Sequence, residues 1–213
     1  MEQVSTYLPG ILLAYSAFLL GIISPGPNIL AVMGTSLSAG RREGVALASG
    51  IAFGSLTWAT LTVLGLSAVL ATYASALTAI KIAGGCYLLW LAYKSFKAAS
   101  TDSIIAADQV EGERISRSGY ARRGYVIQMT NPKAALAWIA IVSLGMQQEA
   151  PLWVGAVIIA GTFALSLLIH VLYAILFSSP AAIRTYSKAR RSIQAVLGCF
   201  FAFAGAKLIF SRS

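Results

Sequence analysis

The chain alternates long apolar runs with short polar interruptions, and no charged residue falls between Glu2 and Arg41. A helix needs roughly 20 mostly apolar residues to cross a membrane. That rule predicts spans at about 8–36, 44–67, 75–97, 124–146, 152–177 and 193–211. The first run is too long for one straight helix, and it contains Ser24-Pro25-Gly26-Pro27-Asn28. Each proline lacks an N–H, and its ring clashes with the carbonyl one turn earlier, so the helix breaks there. A second breaker, Thr130-Asn131-Pro132-Lys133, interrupts the fourth run. In lipid, backbone groups freed by such breaks must be satisfied by protein or by water in a cavity. Interrupted spans at corresponding places in two halves point to the binding site of a transporter.

Composition sharpens this picture. The chain is 58% hydrophobic and 11% charged, with a mean hydropathy of +0.77. Soluble domains carry about 25% charged residues, so residues 1–213 read as one all-α polytopic membrane domain. Met1 to Gly10 has no Lys or Arg and no cleavage pattern, so no secretory signal is expected. A net charge of +9 would suggest nucleic acid in a soluble protein. Here the basic residues lie between apolar runs, which argues for anionic lipid and against nucleic acid. Arg41 and Arg42, the group Lys94 to Arg123, and the group Arg184 to Arg191 fall on one side if there are six spans. The positive-inside rule makes that side cytoplasmic and puts both termini outside, in the periplasm if the membrane is a bacterial inner one. Lys81, near the start of the third span, then has to snorkel to the interface.

The stretch at about 99–119 is the one long polar segment. It predicts a mobile cytosolic loop between repeat 1 (about 1–98) and repeat 2 (about 120–213). Gly85-Cys86-Tyr87 with Trp90 and Lys94 is echoed by Gly198-Cys199-Phe200 with Phe203 and Lys207. Pro27 and Pro132 fall at similar places in the two halves. Three spans per half force opposite orientations, so the expected fold is two inverted three-helix repeats with broken helices 1 and 4.

Candidate chemistry gathers at the breaks. A helix from Gly124 puts Lys133 roughly 14 Å deep. A charged amine there should face a cavity or a partner, unless the break leaves it near the interface as an anchor. The half-helix beginning near Pro27 offers free N–H groups and a positive dipole end to an anion. The carbonyls freed before Pro25 and the Asn28 amide suit an ammonium. His170 is the only histidine and lies well inside span five, either bonded to a neighbouring helix or carrying a proton. The acids, Glu2, Glu43, Asp102, Asp108, Glu111, Glu113 and Glu149, lie at termini, loops or span ends. Metal-cation efflux would want carboxylates in the spans, so no metal and no cofactor is expected. Gly50 and Gly54 make a close-packing face in span two, and glycine-rich faces also allow a homo-oligomer. Cys86 and Cys199 admit a rival reading, a membrane-embedded thiol relay, and a non-transporting scaffold is another. No catalytic motif is present.

Several segments resemble the lysine exporter family (LysE/RhtB). They are Ser24-Pro25-Gly26-Pro27-Asn28, Gly40-Arg41-Arg42-x-Gly44, Gly50-x-x-x-Gly54, Ile82 to Leu89, Asn131-Pro132-Lys133-Ala134-Ala135 and Gly198 to Lys207. The resemblance implies a bacterial inner-membrane exporter of amino acids or related small zwitterions, driven by the proton gradient. It implies substrate binding at Ser24, Pro25, Gly26, Pro27, Asn28, Asn131, Pro132 and Lys133. Many members carry an acid immediately after the second glycine of span two, where this chain has Ser55, so proton coupling would fall to another residue such as His170, or the protein is a facilitator. With Lys133 as the one deep charge, neutral or acidic amino acids are the expected substrates, moved by alternating access around the two breaks.

Overall fold

Proline fits the first turn of a helix, where its missing N–H has no intrahelical partner to lose. Both breakers use that position. The computed structural model describes residues 2–23, 26–72, 76–101, 115–146 and 150–210. The first apolar run is two helices, α1 (Glu2–Ile23) and α2 (Pro27–Ser38), with Pro27 opening the second and Gly26 in extended backbone before it. After α3 (Arg41–Thr72) and α4 (Ala76–Ala99), the fourth run repeats the device. There α5 (Arg117–Met129) ends before Thr130, and α6 (Pro132–Gly145) begins on Pro132. The chain finishes with α7 (Leu152–Leu176) and α8 (Pro180–Phe210). The described residues contain no strand.

Four helices, α1, α3, α7 and α8, are long and apolar enough to cross a membrane, and α6 is a shorter apolar helix. This is an all-helical, multi-pass membrane architecture. Two boundaries differ most from those predicted. Helix α5 starts at Arg117 instead of about 124, and α8 starts at Pro180 instead of about 193. Arg122, Arg123, Arg184 and Arg191 therefore sit on helices, not in loops. Hydropathy marks where lipid contact ends, whereas Arg and Lys are good helix formers and let a helix continue past that point. Ser24, Pro25, Glu149, Arg212, the 102–114 part of the polar segment and the side chain of Lys81 lie outside the described residues.

The helices that carry the site are held by glycine contacts. Helix α3 packs along α5 and α7, α4 along α8, and α1 against α6 and α7. A Cβ on Gly50 would run into the Ala121 carbonyl, and one on Gly124 into the Leu47 carbonyl, so α3 and α5 touch backbone to backbone. The predicted Gly50–Gly54 packing face is thus the one that receives α5. Gly65, lower on α3, has nothing within 4 Å of its Cβ position. Gly50→Ala is expected to lower the melting temperature in detergent, because overpacking costs about 1–3 kcal/mol. Gly65→Ala should leave it unchanged or raise it, since helical glycine is ~1 kcal/mol worse than alanine. Equal melting shifts for the two would contradict this packing.

Candidate functional site

The two breaks meet. Where α1 stops and α2 starts, and where α5 stops and α6 starts, the chain encloses a cavity of ≈ 690 Å³ including its open mouth. Of the residues singled out from sequence, Gly26, Pro27, Asn28, Asn131, Lys133 and His170 line it, from helices α2, α6 and α7 and the turns before α2 and α6. Pro132 shapes the second break as the first residue of α6 but does not reach the cavity wall.

The helix starts at the two breaks differ. Asn131 caps α6 through its own side chain, with Oδ1 accepting from the Lys133 N–H at 3.0 Å. Gly26 has no side chain with which to cap α2. Asn28 and Ile29, in the first turn of α2, both line the cavity. First-turn N–H groups have no intrahelical partner and carry the positive end of the helix dipole, so the α2 start is the better anion receptor. At the end of α1, one carbonyl freed by the break is taken, because the Tyr186 hydroxyl donates to the Ile23 oxygen at 3.4 Å.

A chain of amides ties the breaks to each other. Asn131 Nδ2 donates to Asn28 Oδ1 at 3.3 Å, and Asn28 Nδ2 donates to Gln128 Oε1 at 2.5 Å. Gln128 Nε2 then donates to Ser55 Oγ at 2.7 Å, and the Gln128 carbonyl accepts from Trp58 Nε1 at 3.3 Å. Every side-chain amide in this series has its orientation set by its neighbours. Gln128, buried and on the cavity wall, escaped the sequence reading. Its only signal was a lone amide in an apolar run, one turn before Asn131.

Lys133 sits among these amides, with its carbonyl held by the Tyr87 hydroxyl at 2.9 Å. No acidic side chain among the described residues lines the cavity or pairs with its ammonium. His170 is 2% exposed, and its Nδ1 lies 2.8 Å from the Ser166 carbonyl. The rest of the wall is apolar, with Phe18, Trp138 and Phe201 as its largest members. Cys86 and Cys199 are both free and exposed, away from the breaks. Among the described residues no cluster of His, Cys, Asp or Glu could hold a metal ion.

Comparison with known proteins decides the family. The profile of the LysE type translocator family matches residues 19–212. The chain belongs to that family. Among its relatives is the threonine efflux protein of Escherichia coli K12, 30% identical over 199 residues that cover 91% of this chain and 94% of the relative. An uncharacterized membrane protein of the same bacterium, YahN, is 31% identical over 95% of this chain and 90% of its own. The leucine efflux protein of Klebsiella pneumoniae is 28% identical over 60% of this chain and 61% of its own. No solved structure matches the translocator significantly. Relatives named for efflux favour an exporter over the thiol relay.

Proposed function

We propose that this translocator exports uncharged amino acids or similar small zwitterions across the bacterial inner membrane, driven by the proton gradient. The observation that carries the reading is a Lys133 ammonium with no acidic partner among the described residues, beside an uncapped helix start, in a cavity otherwise walled by amides, Ser55, His170 and apolar side chains. A substrate carboxylate would lie between the α2 start and Lys133. Its ammonium would turn to the acceptors on the cavity wall, and an uncharged side chain would lie on Phe18, Trp138 and Phe201. An acidic side chain has no second cation on the wall among the described residues, and a basic one has no carboxylate, so neutral substrates are favoured.

The eight helices make six crossings in this reading, with α1–α2 and α5–α6 each forming one broken span. Two inverted three-span repeats then rock about the shared cavity, with both termini on the periplasmic side. The close packing of α3 on α7 and of α4 on α8, the second and third spans of each half, supports such a pseudo-symmetric pairing. The basic ends of α5 and α8 would face anionic lipid in the cytoplasmic leaflet. His170 and Lys133 are the titratable side chains on the wall, so a coupled proton would travel on one of them.

The test is efflux of a labelled amino-acid mixture from proteoliposomes, with and without an inward proton gradient. Gradient-stimulated loss of a few neutral amino acids is expected. If no amino acid leaves under either condition, the proposal fails. Cys86→Ala/Cys199→Ala is expected to keep the efflux rate within about twofold of wild type, as for other exposed substitutions. Loss of function in that variant would revive a thiol mechanism.

A further inference from the structure

The polar atoms of the cavity account for a carboxylate more completely than for an amine. The Asn28 and Asn131 amide oxygens each already accept one bond, the first from Asn131 Nδ2 and the second from the Lys133 N–H. The Gln128 oxygen accepts from Asn28. The Ile23 carbonyl accepts from Tyr186. Among the described side chains on the wall, one acceptor has no donor at all. A ring nitrogen 2.8 Å from a carbonyl oxygen must carry the hydrogen, because two acceptors cannot bond. His170 Nδ1 is therefore the N–H, donating to the Ser166 carbonyl with the Ser166 hydroxyl as a longer second contact at 3.3 Å, and in the neutral ring Nε2 is a bare lone pair. The ring lines the cavity while being 2% exposed overall, and Nε2 has no hydrogen-bond partner among the described residues.

We infer that His170 Nε2 is the acceptor for the amino group of the transported substrate, and so a specificity-determining residue for amines over their des-amino acids. The backbone bond to Ser166 fixes both the tautomer and the ring orientation, as a second partner does for a functional histidine. A buried acceptor left unpaired is costly. An acid lacking the amine leaves Nε2 bare, and is disfavoured by that penalty as well as by the lost bond. Lys133 is the charged group on the described cavity wall, and it belongs to the opposite end of the zwitterion. This deepens the export reading and rests on it.

The experiment uses purified protein in proteoliposomes, loaded with labelled leucine or threonine and challenged with unlabelled competitors. L-leucine is compared with 4-methylpentanoate, and L-threonine with 3-hydroxybutanoate. Wild type is expected to prefer the amino acid by about 10- to 100-fold, the range for a hydrogen bond to a charged group. His170→Phe should lose most of that preference while its response to the proton gradient persists. His170→Gln, which restores an acceptor at similar reach, should recover part of it. Ser166→Ala should change little, because the bond that sets the tautomer goes to the backbone.

Amine preference unchanged in both His170 variants would overturn the inference and leave the exporter reading standing. So would a variant that keeps the preference but loses gradient stimulation, which would make His170 a proton carrier. A wild type that discriminates poorly between leucine and 4-methylpentanoate overturns it without any variant. A wild type that neither moves nor binds an amino acid overturns the exporter reading, and this inference with it.

Discussion

Replacing Lys133 by methionine is expected to lower gradient-driven efflux at least about tenfold while leaving the protein as stable as wild type or more so. The two halves of this expectation come from the same fact. An ammonium within a membrane domain costs at least ~2.5 kcal/mol on insertion scales, and no carboxylate among the described residues offsets that cost. Among the described residues its hydrogen bonds are made by the main chain, through the Asn131 cap and the Tyr87 hydroxyl, and methionine keeps both. The charge is therefore a burden on the empty fold and useful to the loaded one. A charge-assisted hydrogen bond to a substrate carboxylate contributes about 1.5–3 kcal/mol, and each 1.4 kcal/mol is tenfold. Lys133→Arg should keep part of the activity, because the charge survives but the planar head needs a wider approach. Initial efflux rates and melting temperatures in detergent decide the matter together. Efflux within twofold of wild type would make Lys133 an interfacial anchor. A large fall in melting temperature would mean that the ammonium has a structural partner.

Legibility in the sequence followed the range of the physics involved. Pro27 and Pro132 act on their own backbone, so both breaks could be read without knowing what surrounds them. Asn28, Asn131 and Lys133 followed from the breaks, since groups freed in lipid need a cavity, and the structure brings all three to one wall. The ends of α5 and α8 were misjudged because hydropathy reports lipid contact and their charged turns favour helix regardless. Gln128 was illegible for a different reason. Its partners Asn28 and Ser55 are 100 and 73 residues away, and nothing local marks an amide as bridging. Phe18, Trp138 and Phe201 look in sequence like any other lipid-facing rings. Only the packing of α1, α6 and α8 turns them towards the cavity.

Mutations at Asn28 and Gln128 are expected to be strongly non-additive, with the double alanine variant transporting no worse than the poorer single one. Asn28 bridges both flanks of the second break, accepting from Asn131 and donating to Gln128. Gln128 passes the connection on to Ser55 of α3. Removing one member leaves buried partners unpaired, at about 1–3 kcal/mol, so each single substitution should slow efflux roughly tenfold. Once the series is cut, its second member has little left to lose. Residues in one hydrogen-bond network couple by about 0.5–3 kcal/mol, whereas independent sites add. Thr162→Val supplies the control. That hydroxyl is buried, but its bonds stay within α7, to the Ile158 and Ile159 carbonyls at 2.6 and 3.1 Å, so its effect should multiply with that of Gln128→Ala. Initial efflux rates for the four variants of each pair measure both couplings. If Asn28→Ala and Gln128→Ala combine to roughly a hundredfold loss, the amides act separately and the two breaks are not tied into one device. If the double variant matches the poorer single one, the site moves as a unit, and rocking of the halves has to open this series of hydrogen bonds each time the cavity changes sides.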